Sequence, residues 1–212
     1  MNRIALLLLS LLLPAASAMA QAVPAAPASL VEGVDYELIE QPGTWGKVGK
    51  GEVEIVEVFA YTCHHCADLA PKLEAWKARL PKHVKVRYVP AGYDVTDTFG
   101  RGFFASESLG TLRRTHQATF DAVHESRTLP RNPTDAELTA FYATQGVDAR
   151  KFAAELASPK TTERMKAARD FSLRVKLQGT PTLIVAGKYR VIGTSLDDLL
   201  QTAAALALHP PL

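Results

Sequence analysis

Residues 53–60 read Val-Glu-Ile-Val-Glu-Val-Phe-Ala, apolar on both alternating faces apart from Glu54 and Glu57. A strand covered on both sides of a sheet has this pattern, whereas a strand with one wet face alternates cleanly. The period then changes. Leu69, Leu73 and Trp76 fall at spacings of four and three, which predicts a helix over 66–80 with Pro71 inside it. Proline lacks the amide donor and crowds the preceding turn, so a kink is expected there. Val84, Val86 and Tyr88 alternate in a further strand that runs to Val89 and closes at Pro90. The result is a strand-helix-strand unit, whose crossover must be right-handed if the strands are parallel. A short strand candidate over 36–39 precedes it, ended by Pro42-Gly43.

From about Thr96 to Gln178 helical periods dominate. Thr134 with Glu137 forms a capping box, and Ser158 followed by Pro159 marks a second helix start. Strands return at 182–186 and 189–192, joined as a hairpin through Ala186-Gly187-Lys188. A last helix starts at Ser195, capped with help from Asp198, and runs to Leu208. The expected organisation is an α/β domain made of two separated pieces, 31–96 and 179–212, with an all-helical insertion over 97–178. Phe103 and Phe104 are assigned to its core.

The N-terminus reads as an address. Arg3 supplies a positive start, residues 4–13 an apolar run, and Ala18-Met19-Ala20 a small-x-small cleavage site, so a signal peptide over 1–20 cut after Ala20 is expected. The run is about half the roughly 20 residues that span a bilayer, which disfavours a retained anchor. Residues 21–30 are an Ala/Pro tether, too poor in large side chains to offset the entropy of ordering. The expectation is an exported protein in a compartment where disulfides persist, the periplasm.

Composition changes this picture little. The 212 residues are 47% hydrophobic and 22% charged with a formal net charge of +2, which is ordinary globular chemistry and lacks the basic excess of a nucleic-acid binder. The two cysteines change it more. Cys63-His64-His65-Cys66 stands where the buried strand gives way to the helix. A thiolate is the nucleophile in disulfide exchange, and free amide donors at a helix start favour it, as would an imidazolium of His64 or His65. Cys63 is thus the better nucleophile, and Cys66, one turn further in, the resolving thiol. Only the reduced form contains a thiolate, so whatever stabilises it makes the disulfide a stronger oxidant, by about 30 mV per pKa unit.

Other readings exist. A permanent disulfide would close a four-residue loop worth only about 2 kcal/mol and would link no distant elements. A closed zinc site needs four converging ligands, which adjacent side chains cannot supply, so no metal and no cofactor beyond the cysteine pair is expected. His116 and His124, eight apart on a helix, and the isolated His83 and His209 are read as surface residues. Glu57 lies six residues before Cys63 on the row of Val53, Ile55 and Phe59, where a buried carboxylate must titrate or pair; it can hold or pass the proton of Cys66. An edge-exposed glutamate is the alternative. A reductase, an isomerase, a metal carrier and a chaperone are the competing functions.

The segments VEIVEVFAYTCHHC (53–66) and GTPTLIVAGKYRVIG (179–193), with the helical stretch between them, resemble the DsbA family of the thioredoxin superfamily over roughly residues 33–208. The resemblance implies a thioredoxin-like fold, a central mixed sheet flanked by helices with an inserted helical domain. It implies that Cys63 is the nucleophile, Cys66 its buried partner, His65 the histidine before that partner, Glu57 the buried acid, and Thr180-Pro181 a cis-proline loop facing the site. A cis bond there would turn the Thr180 backbone outward to pair with an extended substrate. One departure is His64, where the best-known family pattern has proline. The implied activity is donation of the Cys63-Cys66 disulfide to reduced, unfolded exported proteins by a monomer, with reoxidation by a DsbB-like quinone-linked membrane protein.

Overall fold

The structure, a computed structural model, describes residues 29–211. The expected signal peptide over 1–20 and most of the tether lie outside the described residues. The elements are β1 (Tyr36–Leu38), β2 (Val53–Phe59), α1 (His64–Lys77), β3 (Val84–Pro90), α2 (Thr98–Ser108), α3 (Leu112–His124), α4 (Asp135–Thr144), α5 (Ala149–Leu156), α6 (Pro159–Arg174), β4 (Thr182–Val185), β5 (Tyr189–Val191) and α7 (Leu196–Leu208). The sheet order is β1-β5-β4-β2-β3. Among the described strand pairs only β2 and β3 are parallel, with Glu57 opposite Tyr88; β4 runs antiparallel to β2 and places Leu183 opposite Glu57. The sheet is therefore mixed, with β2 interior to it.

The sequence of β2 explains its place. Ile55, Val56, Val58 and Phe59 are all buried, and they divide between two cores. One core joins Ile55, Leu183 and Val185 to Leu69, Leu73 and Trp76 of α1 and to Leu200 and Leu206 of α7. The other joins Val56, Val58 and Ile184 to the five helices between β3 and β4, through Phe103, Phe104, Phe120, Leu138, Phe152 and Met165. Phe59, last in the row of Ile55 and Glu57, turns its ring into this second cluster, 5.2 Å from Phe103 and 5.9 Å from Phe120. A strand covered on both faces by helices cannot alternate, which is why its apolar run is nearly continuous.

Glu54 is the other carboxylate of that run. It is buried and satisfied: its oxygens accept from the Trp45 and Gly46 amides at 2.8 Å and pair with the Arg87 guanidinium. It fastens the segment before β2 to the sheet, a structural task.

Local signals hold where they rest on short-range chemistry. Thr134 and Glu137 form the reciprocal capping box, Ser158 caps α6 with Pro159 in its first turn, and Ser195 accepts from the Asp198 amide at 3.1 Å. The hairpin turns at Ala186 and Gly187, both at positive φ (53° and 61°), as a tight two-residue turn requires. Gly92 is needed for space: a Cβ there would lie 2.3 Å from the Arg169 backbone nitrogen of α6, so the chain leaving β3 packs directly on that helix.

The helix after the cysteine motif differs from expectation at both ends. It begins at His64, not Cys66, and stops at Lys77, with Pro71 within it. The earlier start decides the chemistry of the site, since it makes Cys63 the N-cap.

Candidate active site

β2 delivers the chain to Ala60, and a turn at Tyr61-Thr62 leads into α1. Cys63 has extended backbone angles (φ −83°, ψ 119°) as the N-cap, so the unpaired amides of the first turn lie beside its sulfur. Its own amide donates to the Ala60 carbonyl at 3.0 Å, and its carbonyl accepts from Ala67 at 3.2 Å. Cys63 is partly exposed, Cys66 is fully buried, and both are thiols in this structure.

Across the site the Thr180-Pro181 bond at the start of β4 is cis, as the resemblance implies. The Thr180 carbonyl accepts a hydrogen bond from Cys63 Sγ at 3.1 Å, although 117 positions separate the two residues. The sheet causes this meeting, because antiparallel β2 and β4 bring the end of one strand to the start of the other.

The two thiols have opposite acidities. The Cys63 thiol is lowered to about 5, first by the neighbouring Cys66 thiol, then by Thr180 and the Cys66 and His65 amides, against an opposing effect of burial. The Cys66 thiol is pushed up, first by its hydrogen bond to Cys63, then by burial and by the charge of Glu57. One cysteine is thus built to be a thiolate and the other to hold its proton.

Glu57 lies beneath them. It is 1% exposed, which removes the edge-exposed reading, and neither carboxylate oxygen has a hydrogen-bond partner among the described residues. Burial, followed by the negative charges of Cys63 and Glu74, raises its pKa to about 8. At neutral pH it is a carboxylic acid, able to give a proton to a departing Cys66 thiolate and to take it back.

His64 and His65 are exposed on the first turn of α1. His64 approaches Asp68 at 3.4 Å, and its ring centroid is 6.2 Å from that of His65. The factors lowering the Cys63 pKa are the thiol, Thr180 and the amides rather than the two imidazoles.

Two histidines expected at the surface are drawn into the site. His116 is 7% exposed, ringed by Phe59, Tyr61, Phe103 and Phe120, and its Nδ1 is hydrogen-bonded to the Tyr61 hydroxyl at 2.8 Å. Burial lowers its pKa to about 4, so it is a neutral core side chain. His124 is half-buried, its ring 5.8 Å from that of His64, and its Nε2 donates to the Tyr61 carbonyl at 2.8 Å. His83 and His209 are exposed, as expected. The α3 pattern held the signal for His116: Phe120 and Val123, four and seven positions on, are buried on the same helix face. Arg131, unremarked in the sequence, reaches the Thr62 carbonyl at 2.6 Å. Tyr93 is 59% exposed after β3, and its pKa is raised by burial and then by the charges of both cysteines; Leu173 of α6 is 67% exposed. No group of three or more His, Cys, Asp or Glu side chains is arranged to hold a metal among the described residues.

Comparison with known proteins adds to this geometry. A family described as Thioredoxin matches residues 48–202. The thiol:disulfide interchange protein DsbA of Burkholderia cepacia is 33% identical, over 94% of this chain and 91% of its own length. That of Azotobacter vinelandii is 32% identical, over 80% of this chain and 78% of its own length. Among solved structures, oxidoreductase DsbA from Xylella fastidiosa superposes with a TM-score of 0.80 at 39% identity, covering 84% of this chain and 96% of that one.

Proposed function

Because the chain belongs to the DsbA family and is a thiol:disulfide oxidoreductase, we propose that it works as an oxidase, donating the Cys63-Cys66 disulfide to reduced proteins exported to the periplasm. The observation that carries this direction is the placement of Cys63 at the N-cap of α1 against Thr180, with its pKa lowered to about 5. A thiolate so stabilised exists only after reduction, so the site favours accepting electrons.

The steps follow from the geometry. A substrate thiolate attacks Cys63 Sγ, the exposed sulfur; the Cys63-Cys66 bond breaks and Cys66 leaves with the electron pair. Glu57, protonated and buried beneath, supplies the proton that Cys66 holds. A second substrate thiolate attacks the substrate sulfur of the mixed disulfide, and Cys63 departs as the stabilised thiolate. Two electrons have moved from substrate to enzyme, and one disulfide has moved the other way. Thr180, whose backbone faces Cys63, pairs with the extended substrate segment. His64 and His65 stand exposed on the first turn of α1 beside Cys63. The signal peptide is removed after Ala20, the protein acts as a monomer, and a DsbB-like quinone-linked membrane protein restores the disulfide.

Mixing the oxidised protein with an equimolar reduced, unfolded protein tests the direction. Substrate thiols are expected to disappear as Cys63 and Cys66 thiols appear, one pair for one pair, by thiol trapping. Retention of the disulfide by this protein while substrate thiols persist would overturn the oxidase reading.

A further inference from the structure

Three side chains from the helical segment between β3 and β4 converge on the two residues before Cys63. His124 Nε2 donates to the Tyr61 carbonyl at 2.8 Å, Arg131 Nη2 donates to the Thr62 carbonyl at 2.6 Å, and His116 Nδ1 is bonded to the Tyr61 hydroxyl at 2.8 Å. The partners are 63, 69 and 55 positions apart in sequence, so no local turn chemistry accounts for them.

The contacts fall on particular peptide groups. The carbonyl held by Arg131 belongs to the same planar unit as the Cys63 amide, and that amide donates to Ala60 at 3.0 Å. Both ends of the Thr62-Cys63 peptide are therefore fixed. The preceding peptide is fixed at its carbonyl by His124, and the Tyr61 ring is caged by Phe59 and Phe120 at 5.0 and 4.9 Å. Arg131 is itself held between anchors. Leu129 is buried and its amide donates to Ala122 at 3.1 Å, and on the other side Thr134 closes the capping box of α4. A donor on so constrained a loop is aimed and not merely nearby.

We propose that Arg131 and His124 are positioning residues through which the helical segment sets the redox poise of Cys63, by holding the Tyr61 and Thr62 carbonyls so that the sulfur stays over the α1 N-terminus. Released from these donors, the two peptide units can rotate, carrying Cys63 off its N-cap geometry and turning carbonyl oxygens toward a developing thiolate. Helix-terminus interactions weaken steeply with distance and misalignment. The clamp acts on the reduced form above all, since only that form carries the charge.

This inference rests on the oxidase reading, and one experiment separates the two. The equilibrium constant with reduced and oxidised glutathione is measured for the full-length mature protein, for Arg131→Met and for Arg131→Lys. Methionine keeps the apolar stem and removes the donors; lysine keeps a donor and the charge. Arg131→Met is expected to become about three- to tenfold harder to reduce, the size of a helix-terminus interaction, where tenfold is about 30 mV. Arg131→Lys is expected to recover most of that. His124→Phe, an independent removal of the other donor, is expected to shift the constant the same way and carries the test if Arg131→Met does not fold. Melting temperatures taken alongside identify a purely structural role. An unchanged constant in folded Arg131→Met and His124→Phe, with or without lost thermal stability, would overturn the clamp. The oxidase reading fails separately, if the wild-type constant itself is that of a reducing protein.

Discussion

The Cys66→Ser protein is expected to stop halfway through the reaction. With Cys63 left as the only thiol, a single-thiol substrate activated as a mixed disulfide exchanges onto it, and neither Cys66 nor a second substrate thiol is present to release it. Gel analysis without reductant should show a covalent adduct that dithiothreitol dissolves. Cys63→Ser should behave in the opposite way. The thiol it retains is fully buried and has its pKa pushed up by burial and by Glu57, so it is a poor nucleophile and unreachable. Substrate oxidation is expected to fall by about 10³-fold or more, since the covalent route is removed outright and what remains is uncatalysed. An adduct on Cys66 in the Cys63→Ser protein would mean that the exposed and buried roles are exchanged.

Glu57→Gln is expected to stabilise the protein at neutral pH and to remove a specific pH dependence. The folded pKa of Glu57 is about 8, above the roughly 4.3 of an unfolded glutamate. Between these values the folded state binds more protons than the unfolded state. Stability contributed by the neutral carboxyl is therefore complete below about pH 4 and declines as pH rises, by at most about 1.4 kcal/mol per unit, levelling above about pH 8. At pH 7 the accumulated loss is on the order of 3 kcal/mol for a fully buried group, and glutamine, which cannot ionise, does not incur it. Urea unfolding of the reduced proteins at pH 4, 6 and 8 should show wild type and Glu57→Gln nearly equal at the lowest pH and diverging above it. Parallel curves would show that Glu57 ionises freely and is not the proton store for Cys66. The same substitution should slow the release of Cys66 from the disulfide, because the proton donor is gone. A structural burden retained at a buried position next to reacting sulfurs is what a functional acid looks like energetically.

Much of this site is visible in the sequence because its chemistry is local. The cysteine spacing puts one sulfur at the helix entrance and the other a turn inside, and the continuous apolar run of β2 announces that Glu57 is carried into an interior. The caps at Thr134, Ser158 and Ser195 rest on side chains bonding amides three positions on, which spacing alone reveals. The helix begins two residues before its predicted start because the apolar row that predicts it begins at Leu69, while the amide geometry that begins it lies at Cys63. The long-range contacts are of another kind. His116 and His124 reach Tyr61 because α3 packs against the end of β2, Arg131 reaches Thr62 from the loop that follows, and no periodicity over 112–124 states which strand that helix will meet. Histidine is also ambiguous by nature: one ring is a neutral core side chain and the other an active-site donor, and only their neighbours distinguish them.

His64, where the best-known pattern of the family has proline, leaves the oxidising bias resting on the Cys66 thiol, the Thr180 contact and the N-cap amides. The reduction potential of the Cys63-Cys66 pair measures the sum of these most directly, by equilibration of the mature protein in glutathione buffers and thiol trapping. A value near −150 mV or higher is predicted, well above the roughly −270 mV of a reducing thioredoxin. A value close to −270 mV would contradict the account, since it would mean that the Cys63 thiolate is not stabilised and that the protein gives electrons where it is argued to take them.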